Sequence, residues 1–335
     1  MRIFYEELRE ILERILLAHG VSPENATLAA ENYAQNSLDG VYSHGVNRFP
    51  RTIDYLDRGL IDGKARPVQL SAFGGLERWD GQLGLGNVNA RLMMDRAITL
   101  AKKQGQGLVA IGNTNHWMRG GAFGWQAAGA GCIGICWTNT KPNTPAWGGL
   151  DNRIGNNPFV VAIPHSGGNH VVLDMAMTQF AYGKVEQAAM KGETLPVPGG
   201  YDAEGNLTCN PVAIQNGGRH LTIGYWKGSG LSIVLDLMAA VLSGGNTITD
   251  IGRKYQEEIG LSQVFLAIDP EKMQDTSLTD AVIRQVVEDI QTSRPVEKGR
   301  SITCPGERTL ATRQKNLKQG IPILDNVWEK ILALM

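Results

Sequence analysis

The apolar positions of the first sixty residues recur at helical spacing. Leu8, Ile11, Leu12, Ile15 and Leu16 fall on one face of a helix over 4–18, because side chains three and four apart are neighbours on a helix. Gly20 ends it. Ser22 then stands as an N-cap with Pro23 at the first helical position, and a second helix runs to about Leu38. Arg48, Phe49, Ile53 and Leu56 predict a third over 42–56. After Gly63 the period changes. Residues 66–80 read as short strands and turns and 87–103 as a helix. The short apolar runs 108–111, 133–138, 159–163 and 171–175 read as strands. Further helices are expected at 120–129, 231–242, 278–292 and 327–334, and a strand at 264–268. The pattern predicts an α/β (α+β) protein without internal repeats. A helical layer over 1–65 is joined by a C-terminal helical return over 306–335, and an α/β body spans 66–305.

Composition and charge narrow the functional classes. Glycine is abundant, 41 of 335 residues, against a usual share of about 7%. The glycines have no three-residue period and only 14 prolines accompany them, which excludes a collagen-like fibre. Gly45, Gly120, Gly121, Gly228, Gly230 and Gly306 fall where a ligand is expected to approach the backbone. With 32 basic and 33 acidic residues and no basic stripe, a nucleic-acid partner is not expected. The 231–242 run is interrupted by Ser232 and Asp236 and is short for a bilayer span, so no membrane role is expected. Cys132, Cys136, Cys209 and Cys304 lack the spacing of a disulfide framework or a zinc pair. Reduced thiols and a cytoplasmic location follow as expectations.

Five stretches are candidates for chemistry. In Ser43-His44-Gly45-Val46-Asn47-Arg48, a helix would put His44 and Arg48 on one face. A histidine exchanges a proton near neutral pH and an arginine grips a carboxylate with two bonds, with Ser43 orienting the ring. A surface histidine beside a solvated arginine fits the same residues. The run Asn113-Thr114-Asn115-His116-Trp117, followed by Arg119-Gly120-Gly121, lies at a strand end, where α/β proteins bind ligands. It equally suits a turn that caps its own backbone. Trp226-Lys227-Gly228-Ser229-Gly230 precedes the 231–242 helix and offers an anion site or a plain helix start. Asp174, inside an apolar strand, needs a partner or solvent. Pro305-Gly306-Glu307-Arg308 reads as a turn. Gly105-Gln106-Gly107-Leu108-Val109-Ala110 has the letters of a dinucleotide fingerprint, but a helix precedes it and a strand follows, the reverse of what that fingerprint requires. No spacing calls for a metal, although His44, His116 and Asp174 could converge on one.

Together these motifs resemble the type-2 malate/L-lactate dehydrogenase family, also described as sulfolactate-dehydrogenase-like, along nearly the whole chain. The resemblance is strongest to its branch acting on 2,3-diketo-L-gulonate. It is carried by Ser43 through Pro50, by Asn115-His116-Trp117-Met118-Arg119-Gly120-Gly121 and by Gly224-Tyr225-Trp226-Lys227-Gly228-Ser229-Gly230. The resemblance implies a non-Rossmann cofactor domain with a mixed, largely antiparallel sheet, and an NADH-dependent reductase, NADPH remaining possible. It implies that His44 donates a proton to a 2-keto acid substrate and that Arg48 binds its carboxylate. Ser43, His116 and Asp174 complete the catalytic group, with Asp174 a candidate partner of His44. His170, Val171, Val172, Leu173, Asp174, Met175 and Ala176 would line the cofactor, with Trp226, Lys227, Gly306, Glu307 and Arg308. A homodimer is implied as well. The chain departs from the sugar-acid reductase branch at Lys141-Pro142-Asn143-Thr144-Pro145 and carries a small insertion at 165–170 containing Ser166-Gly167-Gly168; these departures bear on the exact substrate and leave the cofactor class intact. Malate-, lactate- or ureidoglycolate-type dehydrogenases, a metal-dependent sugar-acid lyase and a non-catalytic sugar-acid sensor are the rival readings.

Overall fold

From the N-terminus of the computed structural model, which describes residues 1–335, β1 (Arg2–Ile3) leads into α1 (Tyr5–Ala18) and α2 (Pro23–Leu38). After a 3-10 turn at Tyr42–His44 comes α3 (Phe49–Asp57). The hairpin β2 (Val68–Phe73) and β3 (Leu76–Asp80) is followed by α4 (Gly86–Gln104), β4 (Gln106–Asn115), α5 (Gly121–Gly129) and β5 (Ile133–Thr138). The short pair β6 (Thr144–Pro145) and β7 (Asn152–Ile154) precedes a second hairpin, β8 (Phe159–Ile163) and β9 (Val171–Met175). An excursion then carries α6 (Tyr182–Lys191), β10 (Gly200–Tyr201), β11 (Leu207–Thr208) and α7 (Pro211–Gly217). The chain returns through α8 (Trp226–Ser243), α9 (Ile248–Lys254) and β12 (Ile259–Ile268). It ends with α10 (Thr276–Gln291), α11 (Glu307–Gln319), β13 (Ile321–Pro322) and α12 (Asp325–Leu332).

Seven strands form one sheet in the order β2-β3-β4-β12-β5-β8-β9. Only β3 and β4 pair in parallel; every other neighbour is antiparallel. The mixed, largely antiparallel, non-Rossmann sheet is therefore as expected. Alternation along the central strands fixes its two faces. Val109, Ile111, Phe265 and Ala267 pack with Met93, Met94 and Ala97 of α4 and Phe123 of α5. Ala110 and Val264 turn the other way, onto Leu235 and Ala239 of α8.

A separate core joins the chain's two ends to the body. Leu8, Leu12 and Leu16 of α1 meet Tyr33 of α2, Phe49 and Ile53 of α3, Ile321, Ile323 and Ile331 near the C-terminus, and Leu85, Met118 and Ile259 of the body. The register Arg2 to Pro322 and Ile3 to Ile321 ties the terminal segments together.

Three expectations need correction. The single helix over 42–56 is interrupted: the 3-10 turn ends at His44, and α3 starts at Phe49 with Pro50 in its first turn. Proline lacks an N–H and clashes with the preceding turn, so a helix accepts it only at its start. His44 and Arg48 thus do not share a helix face. Second, the helix expected from Leu231 begins at Trp226, so Trp226, Lys227 and Gly228 form its first turn rather than a loop before it. By length and composition alone α8 is sufficient to cross a membrane, although it packs along the sheet through Leu235 and Ala239. Third, the 108–111 and 264–268 strands extend to ten residues each, because Asn113, Thr114 and Asn115 still pair with β12 or lie within β4.

Candidate active site

The turn bearing His44 is pinned to α2 by hydrogen bonds. Asn36 Nδ2 donates to the His44 carbonyl at 3.0 Å, and Val46 N–H donates to Ser37 Oγ at 3.0 Å. Gly45 is required here for contact rather than for a ligand, since a Cβ would lie 2.2 Å from Ser37 Oγ. A polar stripe on α2, including the buried Asn32, Asn36 and Ser37, therefore positions His44.

The end of β4 delivers His116 opposite. The two imidazoles stack with centroids 5.5 Å apart and planes 14° from parallel. Met118 N–H donates to His116 Nδ1 at 3.0 Å, so the neutral ring carries its proton on Nε2. His44 Nδ1 lies 3.1 Å from Ser43 Oγ, and Ser43 is exposed. Burial, then the nearby Arg48, holds the His44 pKa down to about 4, with Arg119 acting the same way and Asp174 opposing. Burial also pushes His116 well below the usual range, reinforced by Arg48 and His44.

Arg48, at the N-cap of α3, reaches across to Glu258 just before β12, its Nη2 3.1 Å from Glu258 Oε2. Asp174 does not hydrogen-bond to His44. Its Oδ2 instead accepts from Gly121 N–H at 2.9 Å at the start of α5, with Arg119 Nε at 3.6 Å. Asp174 thus acts on His44 through space. Arg119 and Arg313 in turn enclose the buried Asp39, with Arg313 Nε at 2.7 Å. Three guanidinium groups, Arg48, Arg119 and Arg313, are matched by three carboxylates, Glu258, Asp174 and Asp39. Tyr182, at the start of α6, donates from its hydroxyl to the Asn143 carbonyl at 2.7 Å and packs on His220. Burial raises its pKa to about 12.

The proposed cofactor segment, His170 through Ala176, coincides with β9, the free edge of the sheet. Val172 N–H donates to the Pro305 carbonyl at 3.0 Å, which holds the Gly306 turn against that edge. Gly306 has φ +101°, and a Cβ there would lie 2.9 Å from the His170 carbonyl. Trp125 Nε1 beside it is buried without an acceptor, and Arg313 lies over the ring at 4.7 Å. His170 also lines a cavity of about 320 Å³ with His165, Ser166 and Asp280. Leu173, Trp226, Lys227 and Arg308 are exposed. Gly228 is occupied differently from expectation: a Cβ would meet the Ile223 carbonyl at 2.4 Å, and Gly120 likewise packs on Trp117. These two are packing glycines. No three metal-ligating side chains converge, so His44, His116 and Asp174 do not form a ligand set.

Comparison with known proteins settles the kinship of this arrangement. Residues 3–332 match malate/L-lactate dehydrogenase. The chain belongs to the malate/L-lactate dehydrogenase family. It is 47% identical to a 2,3-diketo-L-gulonate reductase of Citrobacter koseri over 334 residues, covering 100% of both chains. Among solved structures it superposes on malate dehydrogenase from Entamoeba histolytica with TM-score 0.95 at 25% identity, covering 100% of this chain and 97% of that one. It superposes on sulfolactate dehydrogenase from Methanocaldococcus jannaschii with TM-score 0.92 at 29% identity, covering 100% and 96%. Membership of this family makes the chain an oxidoreductase acting on a CH–OH group with a nicotinamide cofactor. Sequence reasoning left Glu258, Tyr182 and Asp39 unassigned. Each acts across a long chain separation, such as the 210 positions between Arg48 and Glu258, and no local spacing signals that.

Proposed function

We propose that this chain reduces the C2 carbonyl of a 2-keto sugar acid, 2,3-diketo-L-gulonate or a close chemical relative, to the 2-hydroxy acid. The Citrobacter relative's name supports the substrate class. The observation that carries the reading is the stacked His44–His116 pair with Arg48 within electrostatic reach of both rings. The segment from His170 to Ala176, with Trp226, Lys227, Gly306, Glu307 and Arg308, would hold the cofactor. The close Gly306 turn and the unpartnered Trp125 N–H fit a bound polar group along this edge. Reduced nicotinamide, NADH or NADPH, supplies the hydride when bound.

The protein's own groups do the rest. Arg48 grips the C1 carboxylate, which fixes the carbonyl. His116, neutral with Nε2–H, donates a hydrogen bond to the carbonyl oxygen. His44 gives that oxygen a proton as it becomes a hydroxyl. The substrate carboxylate, added to a site whose charges already balance, favours the protonated form of His44. Ser43, hydrogen-bonded to Nδ1 and exposed, orients the ring and links it to solvent. The four cysteines are unbonded and three are buried, in keeping with a reducing cytoplasm. We infer a homodimer from the exposed apolar face of α8, where Leu237 and Val241 are 53% and 77% exposed.

A panel of 2-keto acids assayed at 340 nm with NADH and with NADPH tests this. Turnover of a sugar-derived 2-keto acid is expected, and no oxidation of either cofactor across the panel rejects the reading. His44→Ala should lower kcat by about a hundredfold or more with cofactor affinity intact. Arg48→Ala should chiefly raise KM for carboxylate substrates.

A further inference from the structure

Arg48 is the group proposed to grip the substrate, yet its own partner in the protein lies 210 residues away. Glu258 is 9% exposed and comes immediately before β12. Its neighbour Ile259 pairs with Asn115, the residue before His116. Glu258 therefore stands where the three site-bearing segments meet: the His44 turn, the end of β4 and β12. Glu257 beside it faces outward and binds the rest of α3, accepting from Tyr55 Oη at 2.5 Å and from Arg58 Nη1 at 3.1 Å. The two consecutive carboxylates thus divide the labour. Glu257 fastens the exposed side of α3, and Glu258 reaches the guanidinium at its start.

The contact uses one corner of the fork. Arg48 donates from Nη2 to Glu258 Oε2 at 3.1 Å, the one hydrogen bond its side chain makes. A guanidinium presents five N–H groups along two paired edges. One contact leaves a complete edge for a two-point grip on a second carboxylate. A small cavity of about 10 Å³ is lined by Arg48, Glu258, Asn115 and His116 together, so the pair borders the same space as the His116 side chain. An arginine without such an anchor would hold a flexible side chain in place only through its ligand, and binding would then bear the cost of ordering it.

We propose that Glu258 is a positioning residue of the substrate-carboxylate clamp: it fixes Arg48 by one corner and turns the opposite edge toward the substrate. This rests on the keto-acid reading of the site. Glu258 touches neither substrate nor cofactor in this scheme, and its effect passes wholly through Arg48.

The test is a double-mutant cycle in the full-length enzyme, with the best 2-keto acid from the panel at saturating reduced cofactor. Glu258→Ala should raise KM for the keto acid by about tenfold or more, as loss of a charged hydrogen-bond partner does, while kcat changes by less than about threefold and cofactor KM stays put. Glu258→Gln retains an accepting oxygen and should recover most of the loss. In an Arg48→Ala background, neither change at Glu258 should raise KM further, because the clamp is already gone. Additive effects of the two positions overturn the proposal, as does an unchanged or lowered KM in Glu258→Ala, which would make Glu258 a competitor for Arg48. Should Glu258→Ala fail to fold, the nearly isosteric Glu258→Gln, alone and with Arg48→Ala, decides on the same criteria. Absence of wild-type turnover across the panel overturns the keto-acid reading and this proposal together, whereas additivity in an active enzyme overturns this proposal alone.

Discussion

The proton-donor role proposed for His44 runs against the protonation state its surroundings favour. Donating a proton requires the imidazolium, but burial and two nearby arginines hold the free ring's pKa at about 4. The kinetic consequence has a definite sign. Reduction draws on the protonated ring, so kcat/KM for the keto acid should fall about tenfold per pH unit between pH 5 and 8. Oxidation of the 2-hydroxy acid uses the neutral ring, so its kcat/KM should be level over the same range. Initial rates in both directions across that range are the check, and a level profile for reduction would mean that another group supplies the proton. Sequence reasoning reached the residue types here, because histidine and arginine four apart in a polar stretch are a local signal. It placed them on one helix, and Gly45 and Pro50 were the contrary signal. What it could not reach was the partner of each: Arg48 meets Glu258, and Asp174 meets Gly121 rather than His44.

At the scale of elements, the site depends on how α2, α5 and α11 meet. Asp39 caps the end of α2 with its side chain 1% exposed, enclosed by Arg119 ahead of α5 and Arg313 of α11. Removing one member of a buried ionic group strands the others, at a cost of about 3–5 kcal/mol. Asp39→Ala should lower the unfolding free energy by that order, measured by urea denaturation at pH 7. A loss within about 0.5 kcal/mol would show that the two arginines find other acceptors. The periodicity of α1 was readable from the chain because it buries one stripe, Leu8, Leu12, Ile15 and Leu16, while α2 was readable from its Ser22-Pro23 start and β5, β8 and β9 from their short apolar runs. The short helices α6, α7 and α9 were not, since seven to ten residues offer only about two to three turns of pattern. The glycine excess was read as room for ligands, yet Gly45, Gly120 and Gly228 are filled by the protein's own atoms. A glycine in the sequence signals close approach without naming what approaches.

For the molecule as a whole, the informative surface is α8. One side of this helix packs on the sheet through Leu235 and Ala239, while Val234, Leu237, Met238 and Val241 remain exposed. A helix apolar all round is normally covered on both sides, and the homodimer proposed above would cover it with the same face of a second copy. Leu237→Glu combined with Val241→Glu is expected to convert a dimer into a monomer in size-exclusion chromatography with light scattering. A wild-type protein that elutes as a monomer at micromolar concentration would refute the assignment of this face.

The pairing of Arg2–Ile3 with Ile321–Pro322 also dictates an order of events. Tyr33 and Phe49, which flank the His44 turn in sequence, share their core with Ile321, Ile323 and Ile331. During synthesis His44 emerges well before Ile321, Ile323 and Ile331, so the core beneath its turn is incomplete until they follow. Contacts of such separation close late. The proposed proton donor is thus made long before its support is complete.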